Sequence, residues 1–151
     1  MGLAKAHLPG FDYFFRKEIF GKEAIYKVHC IKAVYDFAVQ GGAISTINLK
    51  DLQGDDVKLP AGAIIRQVLI DVVTPLTSGG LATVKLSANS SGDLLGAVAF
   101  NSVVALYPGI PVGTAATMVK LTAERSLSLG VAVAALSAGK LNIFIEILHA
   151  E

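Results

Sequence analysis

Short runs of apolar side chains, interrupted every few residues by polar or turn-forming ones, make up most of this chain. Residues 25–32 (IYKVHCIK) and 34–39 (VYDFAV) mix β-branched and aromatic side chains and stop at Gly41-Gly42, which predicts strands. Further strands are predicted at 43–49 (AISTINL), 64–73 (IIRQVLIDVV), 81–88 (LATVKLSA), 94–100 (LLGAVAF), 117–122 (TMVKLT), 126–134 (SLSLGVAVA) and 141–148 (LNIFIEIL). In 141–148, Leu141, Ile143, Ile145 and Ile147 fall on one face and Asn142, Phe144, Glu146 and Leu148 on the other. In 64–73 the same alternation sets Ile65, Gln67, Leu69 and Asp71 against Ile64, Arg66, Val68 and Ile70. Half-buried antiparallel strands account for this pattern better than helices.

Turn chemistry punctuates the strands at Gln53-Gly54-Asp55-Asp56, Leu59-Pro60-Ala61-Gly62, Ser78-Gly79-Gly80, Ser91-Gly92-Asp93, Pro108-Gly109, Pro111-Val112-Gly113 and Ala138-Gly139-Lys140. Short strands at such spacing predict an all-β fold, an antiparallel β-sandwich or jelly roll. The one helical stretch expected is short, over residues 14–24.

Aromatic residues divide the chain in two. Eight of the eleven (Phe11, Tyr13, Phe14, Phe15, Phe20, Tyr26, Tyr35 and Phe37) lie in the first 37 residues. Residues 1–33 also hold six basic side chains against three acidic ones. The expected organisation is an extended, basic, aromatic N-terminal arm over 1–33 and a β-sandwich body over 34–151. Aromatics and arginine dominate interface hot spots, so Phe11, Tyr13, Phe14, Phe15, Arg16, Phe20 and Tyr26 are the candidate partner-binding residues. The competing expectation is that Phe14, Phe15 and Phe20 fold back onto their own body.

The whole chain is 53% hydrophobic and only 17% charged, a surplus that favours burial in an assembly. A net charge of +1 leaves no field to gather nucleic acid or anionic lipid, so neither is an expected partner. Arg66, Asp71, Lys85 and Glu124 interrupt the apolar runs before they reach a membrane span. The opening MGLAKAHLPGFDYF lacks the apolar run of a secretion signal, and Ala6 stands where myristoylation requires Ser or Thr, so cytoplasmic synthesis is expected.

No catalytic constellation emerges, and the chain is expected not to be an enzyme and to need no cofactor or metal. His7, His29 and His149 have no motif spacing. Cys30 adjoins His29, but neighbours in a strand point to opposite faces, and Cys30 is expected to be a small core side chain. Asp55-Asp56 lacks the spaced acidic loop of a Ca²⁺ site and is expected to be a solvated turn. The glycine-rich pieces 78–80 and 108–113 lack a following GK[ST] or a helix to open, so they are expected to be turns.

The phrases VYDFAVQGG (34–42), LPAGAII (59–65), VLIDVVTPLTSGGLATVKLS (68–87), SGDLLGA (91–97), GIPVGT (109–114) and KLTAERSLSLGVAVAALSAGKLNIFIE (120–146) resemble small all-β head decoration, or cement, proteins of tailed bacteriophages. The resemblance spans about residues 34–148 and leaves the arm outside it. It implies a subunit on the capsid exterior that binds major capsid protein, associates with itself as a trimer, and locks neighbouring capsomers together. A different expectation is a phage fibre or receptor module recognising glycan through loops 76–80 and 107–113, where Tyr107 is the nearby aromatic.

Overall fold

The structure, a computed structural model, describes residues 26–150, with side chains from 28 to 148. The expected helix at 14–24 and the candidate residues Phe11, Tyr13, Phe14, Phe15, Arg16 and Phe20 lie outside the described residues. In chain order the elements are β1 (Tyr26–Asp36), α1 (Phe37–Gln40), β2 (Thr46–Asn48), β3 (Lys58–Leu59), β4 (Ile64–Ser78), β5 (Thr83–Ser87), β6 (Leu95–Ala99), a 3₁₀ turn (Phe100–Ser102), β7 (Leu106–Val112), β8 (Val119–Lys120), β9 (Arg125–Ser126), β10 (Ser128–Ala132) and β11 (Leu136–Ala150). Two antiparallel sheets face each other as a sandwich, as the alternation predicts. One runs β1-β11-β4-β7, with β8 also on β4; the other runs β2-β10-β5-β6, and β3 pairs separately with β9.

The inner face of the first sheet carries Ala33, Tyr35, Ile65, Val68, Ile70, Leu141, Ile143, Ile145 and Ile147, all buried. The second sheet answers with Val84, Leu86, Leu95, Leu129 and Val131. Over β11 the expected faces hold throughout. In β4 they do not, because Ile147 pairs with Ile65 while Glu146 pairs with Gln67, leaving Arg66 as an extra residue in the ladder. This bulge switches the buried set from Ile65 to Val68 and Ile70.

Several expectations need correction. The two strands predicted at 25–32 and 34–39 are one strand to Asp36, after which the backbone turns helical. Asp36 causes the change: its carboxylate accepts the Ala38 N–H at 3.0 Å and caps the short α1. β1 therefore crosses residue 33, with 26–33 paired along β11. The strand expected at 43–49 shortens to Thr46–Asn48, that at 117–122 shortens to Val119–Lys120, and that at 126–134 divides into β9 and β10.

β7 was hidden by Pro108 and Pro111, which read as turn residues. It lies on β4 at the edge of its sheet, where missing N–H donors are tolerated. Glycine is required at 109, since an added Cβ would stand 2.6 Å from the Leu94 carbonyl oxygen and 2.7 Å from the Val68 Cβ.

Cys30 is a further correction: it is exposed, not in the core. Its backbone pairs with Glu146, on the face opposite the buried Ile145 and Ile147. Tyr35 fills the core instead, and its hydroxyl donates to the Gly41 carbonyl at 2.8 Å. Burial, helped by the negative charge of Asp36, pushes this phenol up to about 12. A raised folded-state value means full stabilisation below the unfolded tyrosine pKa of about 10, lost as pH climbs towards 12. Alkaline denaturation followed by circular dichroism is therefore expected to be steeper in wild type than in Tyr35→Phe over that interval. Equal slopes would show that Tyr35 does not set the alkaline limit.

Candidate functional site

Tyr26, the last of the sequence-predicted partner residues, begins β1 with its backbone opposite Ala150. Of the two loops expected to recognise glycan, residues 76–78 belong to β4 and 107–112 to β7, which leaves only 79–80 and 113 outside strands. Tyr107 packs against the core.

The loops present a different surface, which the turn pattern did not single out. At one end of the sandwich, segments 41–45, 79–82, 99–105 and 132–135 come together. The Val131 N–H donates to the Ser45 carbonyl at 2.9 Å, the Phe100 N–H to the Ala82 carbonyl at 3.1 Å and the Leu136 N–H to the Gly42 carbonyl at 2.8 Å. None of these segments contains a charged residue. Yet they hold Ile44, Leu81, Val104 and Val133 at 59%, 84%, 57% and 70% exposure. Loop tips ordinarily carry polar groups, so four large aliphatics exposed at one uncharged end make it a candidate contact surface.

Val133 adds a second sign. Its φ of 70° lies in the left-handed region, where a β-branched residue is disfavoured by steric crowding. Strain of this kind clusters at functional sites.

The opposite end is polar. Segments 60–63 and 121 exchange backbone hydrogen bonds, and Thr122 reaches Asn89 at 3.4 Å. There Asp93 accepts the N–H groups of Ala88, Asn89 and Ser90, each at 2.8 Å, and closes its turn internally.

On the side of the sandwich, α1 and the loop 50–54 enclose a groove of about 440 Å³. Its walls are fixed by local hydrogen bonds. The Gln40 side chain accepts the Asp36 N–H at 2.9 Å and donates to the Asn48 carbonyl at 2.6 Å. Asp51 accepts the N–H groups of Gln53 and Asp55 at 2.8 and 2.9 Å. Lys140 pairs with Asp36 at 2.9 Å and Lys50 with Asp56 at 2.8 Å. The hydrogen bonds from Lys140 to Asp36, and from Lys50 then Asn48 to Asp56, hold both carboxyls below their ordinary value. Asp56 is thus part of an ion pair rather than a free solvated turn residue.

Among the described residues, no group of three or more His, Cys, Asp or Glu side chains converges to hold a metal ion. No described helix is long and apolar enough to cross a membrane.

No protein-family model and no curated protein sequence matches the chain. Solved structures do. A chain of the acidic stable capsid structure of Helicobacter pylori bacteriophage KHP30 is 14% identical, with a TM-score of 0.57 covering 84% of this chain and 95% of that one. A chain of the cyanophage Pam1 capsid asymmetric unit is 15% identical, with a TM-score of 0.57 over 86% of this chain and 90% of that one. A chain of the Ralstonia phage GP4 capsid is 16% identical, with a TM-score of 0.54 over 83% and 86%. What is shared at these identities is the fold, over nearly the whole of each chain.

Proposed function

We propose that this protein is a non-enzymatic structural component of a tailed-phage virion, bound to the capsid exterior, where it cements neighbouring capsomers. It would be made in the host cytoplasm and act without a cofactor. The observation that carries this reading is the fold it has in common with chains of three phage capsid structures. The strand order supports a jelly-roll description: among the described residues β1 lies beside β11, far from it in sequence, in one sheet, and in the other β10 lies between β2 and β5, with β6 beyond.

Two contacts divide the work in this reading. The aromatic leader, through Phe11, Tyr13, Phe14, Phe15, Arg16, Phe20 and Tyr26, grips major capsid protein. The uncharged loop end joins copies of the chain, as a homotrimer, since a neutral apolar surface meets its own copy without charge conflict. Attachment to several capsomers at once then turns modest contacts into lasting ones by raising effective concentration.

The test is co-sedimentation with parent-phage capsids assembled without this protein. The full chain is expected to bind, and the full-length double variant Phe14→Ala with Phe15→Ala to bind about 100-fold more weakly, as for two hot-spot aromatics. A truncation for the same assay starts at Tyr26, because starting at Val34 removes most of β1. Failure of the full chain to bind overturns the capsid reading, and unchanged binding by the double variant overturns the role of the leader.

A further inference from the structure

Building on the capsid reading, we propose that the side groove between α1 and the loop 50–54 is a socket for an acidic segment of the capsid surface that carries an apolar side chain beside its carboxylate. Lys32 is the counter-ion of that carboxylate, and Val39 and Leu52 hold the apolar neighbour.

The chemistry follows from what lines the groove. Three lysines, Lys32, Lys50 and Lys140, face two aspartates, Asp36 and Asp51. Lys140 and Lys50 already have carboxylate partners at 2.9 and 2.8 Å. Asp51 is committed to its own turn. Lys32 pairs with no carboxylate among the described residues; its ammonium stands 5.9 Å from the Phe144 ring centroid. That contact steers the side chain over the sheet and leaves the positive charge without a carboxylate among the described residues. The groove thus has room for one negative charge.

The rim selects the rest of the occupant. Val39 is 76% exposed on a single helical turn, and Leu52 is 72% exposed on a loop tip. Neither has a core to fill, yet both flank the same cavity. A dianionic phosphate fits poorly beside Asp36 and Asp51, whereas a carboxylate next to an aliphatic or aromatic side chain matches both the charge and the rim. The walls need no rearrangement to receive it, since α1 and the loop are each hydrogen-bonded in place, and a pre-formed site loses little entropy on binding.

The test uses the full chain and the same capsids, with binding followed across a salt series. Lys32→Glu and Leu52→Asp are each expected to weaken binding about tenfold or more, and Lys32→Arg to retain it. Lys58→Glu, a charge reversal on an exposed lysine paired with Glu124 at 3.6 Å, is expected to bind as wild type. Lys32 is also expected to be shielded from acetylation on the capsid while Lys58 stays reactive, read by mass spectrometry. If wild type binds but Lys32→Glu binds equally well and Lys32 acetylates freely, the socket is wrong and the capsid reading stands. If wild type does not bind, both fall. Equal losses in Lys32→Glu and Lys58→Glu would mean general charge attraction and overturn the socket alone.

Discussion

Ile143→Ala is expected to cost the fold about 3–4 kcal/mol, a large share of the stability of a domain this size. Ile143 lies mid-strand in β11 between Ala33 of β1 and Ile70 of β4, and all three are fully buried. Truncation removes three methyl or methylene groups from the layer between the sheets. The neighbours have little freedom to close the gap. Ala33 is too short to fill it, and the ladders on either side hold β1 and β4 at fixed spacing, so the cavity persists. Urea unfolding should show a lower midpoint with an unchanged slope. Phe144→Ala, one residue along on the outer face, removes a larger side chain from a half-buried position and should lose much less. Equal losses would mean that the sheets do not enclose the core as described.

The residue pattern reveals the fold where one strand face is buried without interruption. β11 shows this best: each odd position from Leu141 to Ile147 is apolar and buried, so alternation and burial coincide. β4 defeats the same reasoning because the bulge at Arg66 exchanges the faces, and nothing in IIRQVLIDVV distinguishes a bulge from a regular strand. At β7 the turn rule prevailed over the strand rule, although prolines are compatible with an edge position that only topology reveals. Cys30 went wrong for a related reason: its residue type favours burial, but the register with Glu146 places it on the open face.

The candidate surfaces were less legible than the core. Ile44, Leu81, Val104 and Val133 are ordinary β-sheet side chains, so in the sequence they read as strand interior or its flank. Their meaning depends on four separate segments meeting at one end, which is a property of the tertiary structure. The lysines of the side groove are likewise scattered through the chain, at 32, 50 and 140, and look like solvated surface charges. What the sequence does signal is the apolar surplus and low charge of the whole chain, which point to burial in an assembly without locating it.

The uncharged end makes the second large prediction. Leu81→Asp combined with Val133→Asp is expected to abolish self-association, weakening it about 100-fold or more, because each position replaces a buried aliphatic contact with a carboxylate that has no partner there. Stability of the isolated fold should not fall. Both side chains are more than two-thirds exposed, at 84% and 70%, so little packing is lost. At 133 aspartate tolerates the left-handed backbone better than valine, which relieves strain. The combination separates contact from folding: light-scattering mass should drop to that of a single chain while the thermal midpoint, compared with wild type diluted until it too is a single chain, holds or rises. A mass that stays unchanged would move the self-contact elsewhere on the body. A midpoint that drops sharply would show instead that these aliphatics belong to the fold. If the mass falls and capsid binding weakens with it, the three-copy arrangement is itself part of the grip, since a single chain then holds the shell by its leader and one socket alone.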